Sequence, residues 1–180
     1  MAETQAAAAA IATVGPPTRY PAARASPAPS LERLETLSVG LISYRTQRFP
    51  GFYVQNSGYS VAWVAQCAAE IADTLAARSS LGLQQALVVA NPIPDGKEMA
   101  RELHDVTLAG ALKALHDHRV IGKDVTPFLL AYFHEHTNGV SLQANIDLVL
   151  NNATLGAKIA VALAAGRSAR FGTSGDARLE

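Results

Sequence analysis

The sequence predicts an α/β protein: a partial α/β/α sandwich in which short buried strands alternate with helices, preceded by a disordered Ala/Pro-rich leader. Two short apolar runs carry the strand part of that reading. Residues 39–44 (VGLISY) are followed by polar Arg45-Thr46-Gln47, and residues 86–90 (ALVVA) stop abruptly at Asn91-Pro92-Ile93-Pro94. Unbroken apolar runs of this length suit strands covered on both faces. Around them lie segments with apolar residues at helical spacing, and strands that alternate with helices imply a parallel sheet. With 49% hydrophobic and 17% charged residues, the 180-residue chain has enough apolar material for one core and too little charge for a disordered polymer.

Residues 1–30 hold Pro16, Pro17, Pro21, Pro27 and Pro29 among many alanines, which denies a helix its interior hydrogen bonds and offers little side chain to pack. They are expected to be the leader. Leu31, Leu34 and Leu37, with Glu32, Arg33 and Glu35 between them, read as the last turns of an amphipathic helix. The aromatics Phe49, Phe52 and Tyr53 among turn residues predict a packed loop over 49–58. Ala68, Ala69, Ile71, Ala72, Leu75 and Ala76 then make a helix face ending near Leu81-Gly82.

After the second strand, Leu103, Val106, Ala111, Leu112 and Leu115 trace the apolar side of a helix whose other side carries Glu102, Asp105, Lys113 and Asp117. Thr126-Pro127 reads as the N-cap and first position of a helix over 128–137, closed by the turn signal Asn138-Gly139. Ser141 is the expected cap of a last helix carrying Leu142, Ile146, Val149, Ile159 and Leu163. The folded part is thus expected over 31–166, with a flexible tail at 167–180.

Several function classes are excluded or made less attractive. Fifteen Lys+Arg balance fifteen Asp+Glu, so no basic excess points to nucleic acid or an anionic membrane surface. Gly, Asn, Asp or Lys interrupts each apolar run before the eighteen or so residues of a bilayer span. The single Cys67 excludes an intrachain disulfide framework and suits a reducing, cytoplasmic setting; it precedes an apolar helix face, so packing is its expected role. Arg19 and Arg24 among Ala, Ser and Thr leave an organelle-targeting reading of the leader open. His116 with His118, and His134 with His136, stand at i and i+2, positions on opposite sides of a helix that cannot grip one ion. The neutral polar residues Asn91, Thr126, Asn145, Asn151 and Asn152 stand in apolar surroundings, where they either tie loops to backbone or hydrogen-bond a small polar ligand.

Six segments in order, Leu34-Glu35-Thr36-Leu37, Phe49-Pro50-Gly51-Phe52-Tyr53, Ser57-Gly58, Val89-Ala90-Asn91-Pro92-Ile93-Pro94, Gly122-Lys123-Asp124-Val125-Thr126-Pro127-Phe128-Leu129-Leu130, and Ser141 to Ile146 with Asn151-Asn152-Ala153, resemble the pseudouridine-5′-phosphate glycosidase family, also called indigoidine synthase A-like. The resemblance implies a trimeric α/β/α enzyme, usually manganese-dependent. It would reversibly cleave the C-glycosidic bond of pseudouridine 5′-phosphate to uracil and ribose 5-phosphate. It further implies a lysine that holds the opened sugar as a Schiff base and a glutamate that acts as general acid and base. A carbon leaving group needs such an iminium electron sink, which two carboxylates alone would not supply. The resemblance also implies substrate contact by Asn145, and places Asn91 and Thr126 close to the pocket. The family's lysine, glutamate and metal-binding aspartate belong to the portion preceding the match at Leu31; the lysine position falls near Ala22 or Ala23, and residues 1–30 contain no lysine. The isolated chain is therefore expected to be inactive, and the alternative to an enzyme is a non-catalytic truncated remnant or interaction subunit stabilised by oligomerisation.

Overall fold

The computed structural model describes residues 9–12 and 28–172, with side chains over 31–166. Strand β1 (Ala9–Ala12) is followed by helix α1 (Ala28–Thr36), strands β2 (Gly40–Tyr44) and β3 (Val64–Ala65), helix α2 (Ala68–Ser80) and strand β4 (Leu87–Ala90). Helices α3 (Arg101–Asp117), α4 (Val125–His136) and α5 (Val140–Gly172) complete the chain, with a 3-10 turn at Gly122–Asp124 before α4. The sheet runs β1-β4-β2-β3 and every pairing in it is parallel; β4 lies centrally, with Leu87 to Ala90 facing Ala9 to Ala12 on one side and Gly40 to Ser43 on the other.

Alternation along the strands makes the sandwich. Ile42 and Val89 point to one face, where Ile71 and Leu75 of α2 meet Leu155 and Ile159 of α5. Leu41 and Ala90 point to the other, with Leu31 of α1 and the loop residues Phe49, Val61 and Tyr59. All four residues of β4 are buried, as expected of a strand covered on both faces, and full burial of Val89 or Ile71 contributes about 1.5–3 kcal/mol each. The first expected strand is less enclosed: β2 buries only Ser43 fully. A second cluster lies beyond the sheet. Ala111 and Leu115 of α3, Leu129 and Phe133 of α4, and Ala144 and Leu148 of α5 close around Tyr53, Ile93 and Met99 from the two long loops. The expected packed loop over 49–58 is therefore observed, with Phe49, Tyr53 and Val54 buried.

Several local expectations are corrected. Within the segment read as leader, Ala9–Ala12 adds an edge strand to β4; an alanine run carries no alternation that would mark a strand, and most of residues 1–30 lie outside the described residues. Thr126 is not the N-cap of α4. The 3-10 turn carries the chain into the helix early, so Asp124 is the cap residue and Thr126 and Pro127 fall in the first turn, where a missing N–H costs nothing. Nor does Ser141 cap α5: Thr137 Oγ1 accepts the Ser141 N–H at 3.1 Å while donating to the Phe133 carbonyl at 2.7 Å, and the turn between is made by Asn138 and Gly139, both at positive φ.

Cys67 is exposed at the N-cap of α2 instead of packed, and Val106 on α3 is exposed because no described element lies over that flank. α5 does not stop at Gly166 but runs to Gly172, since Ala, Arg and Ser keep it helical and no proline intervenes; residues 173–180 lie outside the described residues. Its stretch from Val140 to Gly166 is, contrary to the sequence expectation, long and apolar enough by length and composition to cross a bilayer, because scattered Asn, Asp and Lys do not offset so many Ala, Leu, Ile and Val.

Candidate functional site at the carboxyl edge of the sheet

Polar groups gather where β2 and β4 end, the edge at which parallel α/β sheets bind ligands. β4 delivers Asn91, which is 2% exposed, straight from the sheet into the loop at 91–99. Its Nδ2 donates to Asn152 Oδ1 at 2.9 Å, and one residue earlier on α5 the Asn151 amide donates to the Pro92 carbonyl at 3.0 Å. The adjacent pair on α5 thus fastens both ends of the Asn91-Pro92 turn.

The loop over 49–58 is stapled to the same place. Gln55 donates its side-chain amide to Asp95 Oδ1 at 2.7 Å and to the Ile93 carbonyl at 3.3 Å, and its backbone N–H to Glu98 Oε2 at 3.0 Å. The Met99 N–H donates to the Tyr53 carbonyl at 2.9 Å, and Arg101 reaches the Asn56 carbonyl at 3.0 Å. Lys97 pairs with Asp147 of α5 across 3.7 Å. On α3, His104 first and Arg101 second hold the Asp105 carboxyl below its ordinary value by hydrogen bonding.

Behind these loops Tyr53 stacks on Phe133 with ring centroids 5.0 Å apart and shares a hydrogen bond with the Ser141 hydroxyl. Burial pushes its phenol up to about 12, the Ser141 bond offsetting part of the rise, so Tyr53 stays protonated and serves as a fixed dipole.

Of the three residues singled out from sequence, the structure joins one to the others of its kind. Asn91 braces a loop through Asn152. Asn145 is half-buried seven residues before Asn152, hence on nearly the same side of α5 and about 10 Å along it; it makes no hydrogen bond among the described residues, which leaves its amide able to meet a ligand. Thr126, also half-buried, sits at the far end of α4 from the α4–α5 turn, and no described contact ties it to Asn91 or Asn145. Sequence reasoning missed Gln55, Lys97 with Asp147, and the Tyr53–Ser141 pair; their partners are too remote in the chain for spacing to reveal. Among the described residues no three of His, Cys, Asp and Glu come together as metal donors, so the described side chains do not fit the manganese that the resemblance implies.

What the edge offers is amides and hydroxyls in fixed positions, able to orient a small polar molecule. Fold and edge together define a parallel-sheet α/β protein whose carboxyl edge gathers side-chain amides and hydroxyls.

Comparison with known proteins gives the family. Residues 27–162 match the family described as indigoidine synthase A like protein. A pseudouridine-5′-phosphate glycosidase of Salinispora tropica is 51% identical over 137 residues, 76% of this chain and 42% of that protein. One from Frankia alni is 46% identical over 136 residues, 76% of this chain and 38% of its own length. The crystal structure of an indigoidine synthase A-like protein from Thermotoga maritima superposes with a TM-score of 0.65 at 36% identity, covering 74% of this chain and 44% of that one. The prealnumycin C-glycosynthase AlnA, solved with ribulose 5-phosphate, shares the fold with a TM-score of 0.70 at 21% identity, over 78% of this chain and 46% of its own. The chain belongs to the indigoidine synthase A-like family, and spans less than half the length of the relatives it matches.

Proposed function

We propose that these residues form the back wall of a pseudouridine-5′-phosphate glycosidase site, with the reactive amine supplied from outside them. The single observation that supports this is the 51% identity over 76% of the chain to a relative bearing that name. In the reaction the bond between sugar C1 and uracil C5 breaks and one water is consumed, uracil C5 taking a proton and sugar C1 taking the hydroxyl oxygen, yielding uracil and ribose 5-phosphate. Asn145 presents its amide to the substrate. Asn91, Asn151 and Asn152 hold the loop at 91–99 still, and Tyr53 with Ser141 anchors the loop at 49–58. Thr126 supports the wall from α4. A holo assembly of three such domains in the cytoplasm, using manganese bound by residues elsewhere, completes the reading.

Uracil release tests it. The purified chain incubated with pseudouridine 5′-phosphate and manganese is expected to release none, and to bind the nucleotide measurably in calorimetry. Asn145→Ala should weaken that binding about five- to tenfold, the worth of one hydrogen bond of about 1 kcal/mol. Absence of any binding sinks the proposal. So does a sugar adduct on this polypeptide that borohydride reduces, because it would locate the amine here.

A further inference from the structure

Two sides of α5 are apolar, and among the described residues only one of them is covered. At about 100° per residue, Ala144, Leu148, Leu155 and Ile159 share the inner side and are buried. Gln143, Asp147, Thr154 and Lys158 form a polar ribbon down one flank. The other flank carries Leu142, Ile146, Val149, Leu150, Ala153 and Ala157, all exposed, with Val149 and Leu150 each at 60%. A surface helix alternates one apolar with one hydrated side; a helix with a second apolar flank belongs between two layers of protein. A continuous apolar strip about 22 Å long, from residue 142 to residue 157, is the kind of surface that marks an interface.

The comparisons offer an occupant for it. The matched segment amounts to 42% of the Salinispora relative and 44% of the Thermotoga chain, so more than half of each polypeptide lies outside it. We propose that the bare flank of α5 seats that remaining part of the family domain, arriving as an apolar-faced layer and turning α5 from an outer helix into a central one. This goes beyond the glycosidase reading, because it stands on exposure and chain length and not on any activity. A lipid bilayer is the less favoured occupant: Asp147 and Lys158 with Asn145, Asn151 and Asn152 would enter the hydrocarbon at a cost of several kcal/mol, and Asn152 and Leu155 are already committed to the sheet side.

Co-expression of the full chain with the part of the Salinispora tropica protein outside its 137 matched residues provides the test, read by size-exclusion chromatography with light scattering. A one-to-one complex is expected. The double variant Ile146→Asp, Val149→Asp should weaken it about thirtyfold or more. The circular dichroism and melting of the chain alone should be retained, since both side chains are exposed. Thr154→Asp, on the polar ribbon, should leave the complex intact. Any of four results overturns the proposal: no complex, a complex that survives the double variant, self-association that the double variant abolishes, or flotation of the chain with phosphatidylcholine vesicles. None of these readouts depends on uracil release, so this inference and the glycosidase reading fail separately.

Discussion

Phe133 in α4 and Ile42 in β2 are both large apolar residues on regular elements, yet Phe133 is 4% exposed under stacked Tyr53 while Ile42 is only half-buried. The contrast extends to their surroundings. α3, α4 and the start of α5 close on themselves and on two loops, so Met99, Ile93 and Leu148 are all nearly inaccessible. Beside β2, the two-residue β3 ends the sheet and Trp63 stands 72% exposed. Burial is thus set by how many neighbours an element finds: the helical region and central β4 find them on every side, whereas β2 and β3 find fewer among the described residues.

Truncation should expose that difference most strongly. Phe133→Ala is expected to lower stability by about 3–5 kcal/mol in urea unfolding, and Ile42→Ala by less than about 2 kcal/mol because much of its area is already wet; equal losses would erase the contrast. Next in size come two changes of about 1–3 kcal/mol. Asn91→Ala removes the amide that donates to Asn152 Oδ1 in a half-buried place, and a double-mutant cycle with Asn152→Ala should show coupling. In the helical region, a methyl added at Gly110 would lie 2.6 Å from the Tyr132 hydroxyl, so Gly110→Ala should destabilise and Tyr132→Phe should restore much of the loss.

Smaller effects sharpen the same comparison. Tyr53→Phe removes the bond to Ser141 and should cost about 0.5–1.5 kcal/mol. The phenol also makes a pH signature. Between its ordinary value of 10.0 and the folded value of about 12, the unfolded chain loses the proton first, so stability falls as pH rises through that window; the Phe variant should lack this increment in alkaline unfolding. Asp147→Asn, which removes the charge facing Lys97 and keeps an oxygen able to accept from Gln143 Nε2, should change stability by less than about 1 kcal/mol in the same assay.

The parts legible in the sequence are those whose cause is local. β4 announced itself because a strand buried on both faces must be apolar throughout, and the turn at Asn138-Gly139 because positive φ demands such residues. β3 could not be read, since two residues flanked by an exposed Trp63 carry no alternation, and β1 could not because alanine is indifferent to strand or helix at an edge. The helix starts were misplaced where a side chain four residues upstream, Thr137, did the capping expected of Ser141. Within the candidate site, Asn91 and Asn145 were visible as polar residues in apolar company. Their division of labour was not, because it is decided by Asn152, 61 residues beyond Asn91 in the chain.

The all-parallel sheet also dictates an order of events during folding. Parallel neighbours cannot be joined by a tight hairpin, so Ser43 must find Val64, Gly40 must find Leu87, and Ala9 must find Leu87 across long loops whose closure entropy is lost before any ladder forms. The α4–α5 corner, sealed by Thr137 and Ser141 four residues apart, bears no such delay. A newly made chain therefore passes through a stage with ordered helices and unpaired strand edges, and it is during that interval that it is most exposed to aggregation.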